Sequence, residues 1–195
     1  MAGHKTRDAL ATAEGPSGSV ATLHTLMAAG LECFARSGYS RARLADIVAE
    51  AGVTTGALYG HFESKSAFFD ALFQRYGTAL TDALGGSDSL KEQLAAWITI
   101  SREYRGVIRA SSEILQRDKD HAAVRRRLRE AAAGLLAWHL REPLTQRNAR
   151  LLARMLVDVL DQYAQMEAVG WIDLRDPDQV ADALSSMITS GVYRR

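Results

Sequence analysis

The sequence predicts an all-α protein, and three observations lead there. Only Pro16, Pro143 and Pro177 interrupt 195 residues, which leaves long stretches without helix breakers. Ala, Leu and Arg, all good helix formers, dominate those stretches. No segment alternates apolar and polar residues with period two for long enough to make a sheet. Apolar residues instead recur three and four apart, in about nine helical segments bounded by Gly, Ser, Asp and Pro.

Residues 1–17 (MAGHKTRDALATAEGPS) read as a flexible arm. Its His4, Lys5 and Arg7 are what such an arm would offer a minor groove, although Asp8 and Glu14 cancel their charge. A first helix opens near Gly18, with Leu23, Leu26, Met27, Leu31 and Phe34 on one face and Cys33 as a small core residue. Gly38 is its expected C-cap, and Ser40 the expected cap of the next helix. There, Leu44, Ile47, Val48 and Ala51 form an i, i+3, i+4, i+7 stripe that lies on a core. Gly52 can end that helix in the left-handed conformation. Val53 is an apolar plug, and Thr54 offers a hydroxyl N-cap to a short helix with Ala57, Leu58 and Tyr59. Two short helices about a Gly-based turn make a helix-turn-helix, whose second helix can enter a DNA major groove.

A fourth helix is expected over about 64–82, with Phe68, Phe69, Leu72, Phe73 and Tyr76 inward, and Gly85-Gly86-Ser87 breaks the chain. Ser89-x-x-Glu92 is a capping box opening a helix with Leu90, Leu94, Trp97 and Ile98 buried. Gly106 marks another break before a short helix to about Gln116. Asp118 or Asp120 caps a helix over 120–141, with Val124, Leu128, Leu135 and Trp138 at helical spacing. Pro143 ends the connection. The next helix, 146–169, is apolar over more width than one core face requires: Leu151, Leu152, Met155, Leu156, Val159, Leu160, Tyr163 and Met166. Gly170 stops it. Asp176-Pro177 opens a last helix lined by Val180, Ala183, Leu184, Met187 and Ile188.

Composition restricts the function classes. At 47% hydrophobic and 24% charged, the chain is an ordinary globular sequence. With 24 basic and 23 acidic side chains, global charge gives no nucleic-acid footprint. Val20 to Tyr76 is also balanced, five against five, so any footprint depends on placement, and Arg41, Arg43 and Lys65 flank the helix-turn-helix. Cys33 stands alone, which excludes an intrachain disulfide or a cysteine zinc site. The first 19 residues have no apolar run typical of a secretory signal, and no run of about 20 apolar residues predicts a membrane span. A reducing cytoplasm is the expectation. No metalloprotease, nucleophile-elbow, P-loop or dinucleotide fingerprint occurs, so neither an enzyme nor a cofactor is expected. Asp118-x-Asp120-His121 has ligand-type side chains, but at a helix start it fits a cap better than a metal. Arg125-Arg126-Arg127-x-Arg129 spreads around a helix and reads as a solvated face.

Gly38-Tyr39, Leu44-x-x-Ile47 and Ala51-Gly52-Val53-Thr54-x-Gly56-x-Leu58-Tyr59-x-His61-Phe62-x-x-Lys65 together resemble the N-terminal signature of the tetracycline-repressor (TetR) family. The specific match covers roughly residues 20–76. Beyond it the likeness is architectural, ending in two long helices. Val48 stands where the family usually has Ala, and Ala42-Arg43 where Thr or Ser is common. A cation at the N-terminus of a helix opposes the macrodipole, which is tolerable if the guanidinium faces a phosphate.

The resemblance implies a DNA-binding domain over 18–65 and a helical effector-binding and dimerisation domain over 66–195. It places Thr54, Thr55 and Gly56 at the groove, and Tyr59 and Lys65 on phosphates, with His61, Arg41 and Arg43 beside them. The recognition helix offers few long polar side chains, so direct readout by one half-site is weak and a palindromic double-stranded operator bound by a homodimer is expected. The dimer surface is assigned to Leu152, Leu156, Val159, Leu184, Met187 and Ile188. A pocket for a small, mainly apolar effector is assigned to Trp97, Tyr104, Trp138, Met155, Tyr163 and Met166. The function expected is a bacterial, nucleoid-associated repressor that releases its operator when the effector binds. A helical partner-binding module without DNA affinity, or a metal-dependent enzyme, are the alternatives.

Overall fold

The computed structural model describes residues 16–115, 118–141, 144–172 and 176–193. Among the described residues there are nine α-helices and no strand: α1 Pro16–Arg41, α2 Leu44–Ala51, α3 Thr55–His61, α4 Lys65–Gly85, α5 Leu90–Glu103, α6 Arg105–Ile114, α7 Lys119–His139, α8 Gln146–Ala168 and α9 Pro177–Tyr193. His4, Lys5 and Arg7 of the expected arm, and Pro143, lie outside the described residues. None of the described helices is long and apolar enough to cross a membrane.

Gly38 does not end α1 but breaks it, with φ 68° and ψ −178°, and one further turn runs on to Arg41. Two constraints meet at this glycine. Its positive φ disfavours a side chain, and a Cβ there would lie 1.9 Å from Oε1 of Glu113. The other oxygen of Glu113 accepts a hydrogen bond from the backbone N–H of Ser40 at 2.8 Å. Ser40 therefore serves α6 and not α2, whose N-cap is Arg43 with no side-chain cap bond.

The helix-turn-helix forms as its spacing predicts. Ile47 and Val48 are buried on α2, and Gly52 takes the left-handed conformation at φ 65°. The Gly52 and Val53 N–H groups donate to Ala49 and Val48 carbonyls, which closes the end of α2. Thr54 then accepts from the Ala57 N–H at 3.1 Å and opens α3. Leu58, fully buried, is the only buried residue of that helix.

α4 belongs to both halves of the molecule. Its first turns bring Phe68 and Phe69 against Phe34, with ring centroids 6.3 and 5.6 Å apart. Further along, Phe73, Tyr76, Leu80 and Leu84 are buried against the C-terminal helices. Buried side chains on both sides of residue 65 form one continuous cluster.

α6 lies along α1. The expected break at Gly106 falls instead at Tyr104, and Gly106 sits inside α6 where the helices cross. A Cβ on Gly106 would come within 2.0 Å of the Leu31 carbonyl oxygen, so only glycine permits that approach. Arg109 donates to the Ala35 carbonyl at 2.7 Å, and Arg105 pairs with Glu32 at 3.0 Å. Asp118 caps α7, accepting from the N–H groups of Asp120 and His121. α8 packs on α7 and α6, and α9 packs on α5.

Candidate nucleic-acid interface

α3 is seven residues long and presents two unlike faces. Leu58 is buried and Ala57 and His61 are partly covered, while Thr55, Gly56, Tyr59 and Gly60 are exposed. Those four recur at i, i+1, i+4 and i+5, so they make one outward strip. A Cβ added at Gly60 would meet nothing within 4 Å, and one at Gly56 only the Thr54 hydroxyl at 3.9 Å. The fold therefore does not need glycine at either position, although each costs about 1 kcal/mol against Ala in a helix interior. Gly60 was absent from the residues singled out by sequence, and the room above it could be seen only in three dimensions.

The flanking cations divide into two kinds. Arg41 and Arg43 are exposed, and neither has an ion-pair partner among the described residues. Lys65 is committed internally. Its Nζ donates to the carbonyls of Tyr39 at 2.9 Å and Ala42 at 3.0 Å, and it lies 4.4 Å from the Tyr39 ring centroid. This ammonium satisfies carbonyls left open at the end of α1 and fixes the start of α4 beside it. Arg36 forms a two-pronged pair with Glu50, which ties α1 to α2 and holds the Glu50 carboxyl below its ordinary range.

Asp118, Asp120 and His121 do not converge. Asp118 is spent as the α7 cap, and His121 is buried with Nε2 2.9 Å from the Ser111 hydroxyl and its ring against Phe73. Among the described residues no three His, Cys, Asp or Glu side chains are grouped as metal ligands would be.

A chamber lies between α4, α5, α6, α7 and α8. Its wall is Phe73, Tyr76, Leu80, Trp97, Ile108, Leu128 and Ala164, with Ser111, Arg125, Arg129 and Asp161 as its polar members. As it stands it has room for about one water molecule. Of the six residues assigned to a pocket by sequence, only Trp97 lines it. Trp138 is 64% exposed beneath Arg141, whose guanidinium lies 4.3 Å from the ring, and Met155 is 56% exposed. Tyr104 is buried against Tyr76, while Tyr163 and Met166 are half-buried elsewhere. Helical spacing marks an amphipathic side chain without saying which neighbour it meets.

The arginine run also departs from expectation. Arg126 and Arg127 are solvated, but Arg125 and Arg129 turn inward to α8. Arg125 pairs with Asp161 at 3.3 Å; Arg129 reaches Asp161 at 3.0 Å and also pairs with Asp158. Burial pushes the Asp161 carboxyl up, against the opposing pull of Arg125 and Arg129. The acids paired with these cations lie 29 to 36 residues away, so no local pattern announces them.

The assigned dimer residues also sort by exposure. Leu156 is buried in the core, and Leu152, Leu184 and Ile188 are partly covered by it. Val159 and Met187 are exposed. Leu151, Met155 and Val159 recur every four residues along α8 as an uncovered apolar stripe.

The second helix of this helix-turn-helix packs on α1 and α2 and turns the strip outward. Residues 26–72 match the family model described as bacterial regulatory proteins, tetR family. A TetR-like transcriptional regulator from Rhodococcus sp. RHA1 has the same fold, with a TM-score of 0.71 and 22% identity over 93% of this chain and 100% of that one. A TerR/AcrR-family regulator from Aquifex aeolicus VF5 gives 0.68 and 17%, over 88% and 97%. A second Rhodococcus sp. regulator gives 0.67 and 24%, over 87% and 96%.

Proposed function

We propose that this chain is a dimeric transcriptional repressor which holds a palindromic operator through α3 and releases it when a small effector enters the chamber. The observation that carries the DNA-binding part is the outward strip Thr55, Gly56, Tyr59 and Gly60. The strip exposes a hydroxyl, an aromatic tip and two stretches of uncovered backbone, and bare backbone permits the closest approach to a phosphate. Thr54 caps α3 and presents the helix N-terminus, where N–H groups favour an anion. Arg41, whose Nε also donates to the Ser37 carbonyl, and Arg43 supply exposed cations at the rim without an ion-pair partner among the described residues, and His61 borders the strip. Lys65 acts as a positioning residue, since its ammonium already holds the joint between α1 and α4.

A single short strip reads few bases, so affinity rests on two subunits presenting it together. The uncovered stripe of Leu151, Met155 and Val159, with Met187 of α9, supports self-association through α8 and α9. An isologous dimer would bury this apolar surface against its own copy. Effector control has a route through α6. That helix brings Ser111 to the chamber and sets Arg105, Arg109 and Glu113 on α1.

Genomic footprinting with the purified protein tests the reading: two half-sites about one or two helical turns apart are expected. In the same assay Tyr59→Ala and Thr55→Ala abolish protection while the protein stays folded and dimeric. Paired charges, Met155→Glu with Val159→Glu, convert the dimer to monomer by sedimentation and remove operator binding. A protein that ignores every duplex at low salt is a partner-binding module, and the proposal falls.

A further inference from the structure

We infer that the α4–α8 chamber selects an effector with an apolar body and a carboxylate head, the head meeting Arg125, Arg129 and the indole N–H of Trp97. This rests on the effector reading above and names the chemistry that reading leaves open.

The chamber has a marked polarity. Seven of its eleven lining residues are apolar or aromatic, and its ionic members are Arg125, Arg129 and Asp161. Two guanidinium groups thus share one enclosed carboxylate. Asp158, the further partner of Arg129, is 67% exposed and belongs to the outer end of the ladder. Asp161 alone faces both guanidinium groups from inside the chamber, and an anion entering there meets two cations.

Hydrogen-bonding capacity points the same way. Trp97 is 1% exposed, lines the chamber, and its Nε1 has no acceptor among the described residues. A buried indole N–H nearly always finds a partner. The Nε of Arg129 lies 3.0 Å from Asp161 but without the alignment of a hydrogen bond. The two unfilled groups of the lining are thus donors, which a carboxylate would satisfy and an ammonium would not. Planar guanidinium groups also suit the two oxygens of a carboxylate better than a single hydroxyl.

The chamber as it stands holds little more than a water, so an effector of this kind must widen it. The ladder from α7 to α8 is the place where that can happen. An incoming carboxylate takes one of the two arginines from Asp161, which keeps the other, so the two helices can part without stranding a cation or an anion. The apolar body then displaces contacts between Phe73, Leu128 and Ala164. Ser111, at the chamber wall on α6, transmits the change toward α1.

The test uses the full-length dimer and tryptophan fluorescence, with hexanoate, decanoate, phenylacetate, decanol and decylamine as ligands. At least one of the carboxylates is expected to bind saturably and at least tenfold more tightly than decanol, with decylamine not binding. Trp97→Phe keeps the ring and removes the N–H. It should weaken carboxylate binding at least fivefold and leave decanol unchanged, followed by calorimetry because the fluorophore is lost. Arg125→Met should have the larger effect. No saturable carboxylate binding, equal binding of decanol, or an indifferent Trp97→Phe each overturns the inference. Operator affinity, read in the same samples, separates the two readings. Release by decanol or decylamine alone leaves a regulator with a different effector class. Failure to bind any duplex removes the regulator and leaves the ligand titration to decide the head group.

Discussion

Four of the seven residues of α3 are exposed and only Leu58 is buried, whereas the chamber is assembled from eleven residues on five helices, none giving more than three. The strip on α3 is held by local chemistry: a threonine cap, a glycine turn and one leucine anchor. The chamber is assembled from five helices, and the acids that pair with its arginines lie 29 to 36 residues away. The contrast teaches that the first can change its outer face at little cost in stability, and the second cannot change its ionic members without disturbing the fold.

The largest expected effect lies in the chamber. Asp161→Ala removes the only enclosed carboxylate facing Arg125 and Arg129 and should cost about 3 kcal/mol in urea unfolding, the low end for a broken buried pair because both arginines keep some solvent contact. A cost as small as that of a surface substitution would erase the contrast. Tyr59→Ala should do the reverse: operator affinity falls roughly tenfold or more, while the unfolding midpoint stays put. If Tyr59→Ala also unfolds the protein, the ring is a packing element and the strip is not free.

Gly60→Ala sharpens the comparison further, because the two readouts move in opposite directions. The empty space around Gly60 admits a methyl group, so stability should rise by about 1 kcal/mol. Operator affinity should fall as the backbone is held off the duplex. Arg43→Ala is expected to leave stability unchanged and to lower the salt dependence of DNA binding by about one phosphate contact per subunit. Lys65→Met, in contrast, should lower both stability and affinity, since its two carbonyl acceptors lose their donor.

The smallest effect concerns pH. Burial holds the His121 imidazole below its ordinary 6.5; Asp70 and Asp118 oppose that shift, and Arg125 adds to it. The unfolded chain takes up its proton first as pH falls. The His121 contribution is therefore complete above about 6.5 and is lost as pH drops toward the folded-state value. Unfolding of the wild type should weaken over that interval, and His121→Gln, which can still meet Ser111, should flatten the profile.

Much of the α3 region is legible in the order of residues. The Leu44, Ile47, Val48, Ala51 stripe, Gly52, the Thr54 cap and the Leu58 anchor act within a few positions of one another, and each occurs in the structure as spaced. Lys65 was legible as a residue of interest, but not its role, because the Tyr39 and Ala42 carbonyls it meets are more than 20 residues away. Gly106 reads as a helix breaker by propensity, yet the nearness of Leu31 makes it a crossing point. Trp138 and Met155 have the spacing of pocket residues but are exposed and lie outside the α4–α8 chamber.

Sequence alone determined the all-α class, the helix-turn-helix and the order of its caps, because hydrogen bonds and apolar periodicity along a helix are short-range. Tertiary structure decided which arginines face inward, which apolar residues of α8 remain uncovered and where the chamber lies. Those outcomes depend on how helices far apart in the chain cross and approach. A side chain's type restricts the partners it can satisfy, and only the packing of the whole chain selects among them.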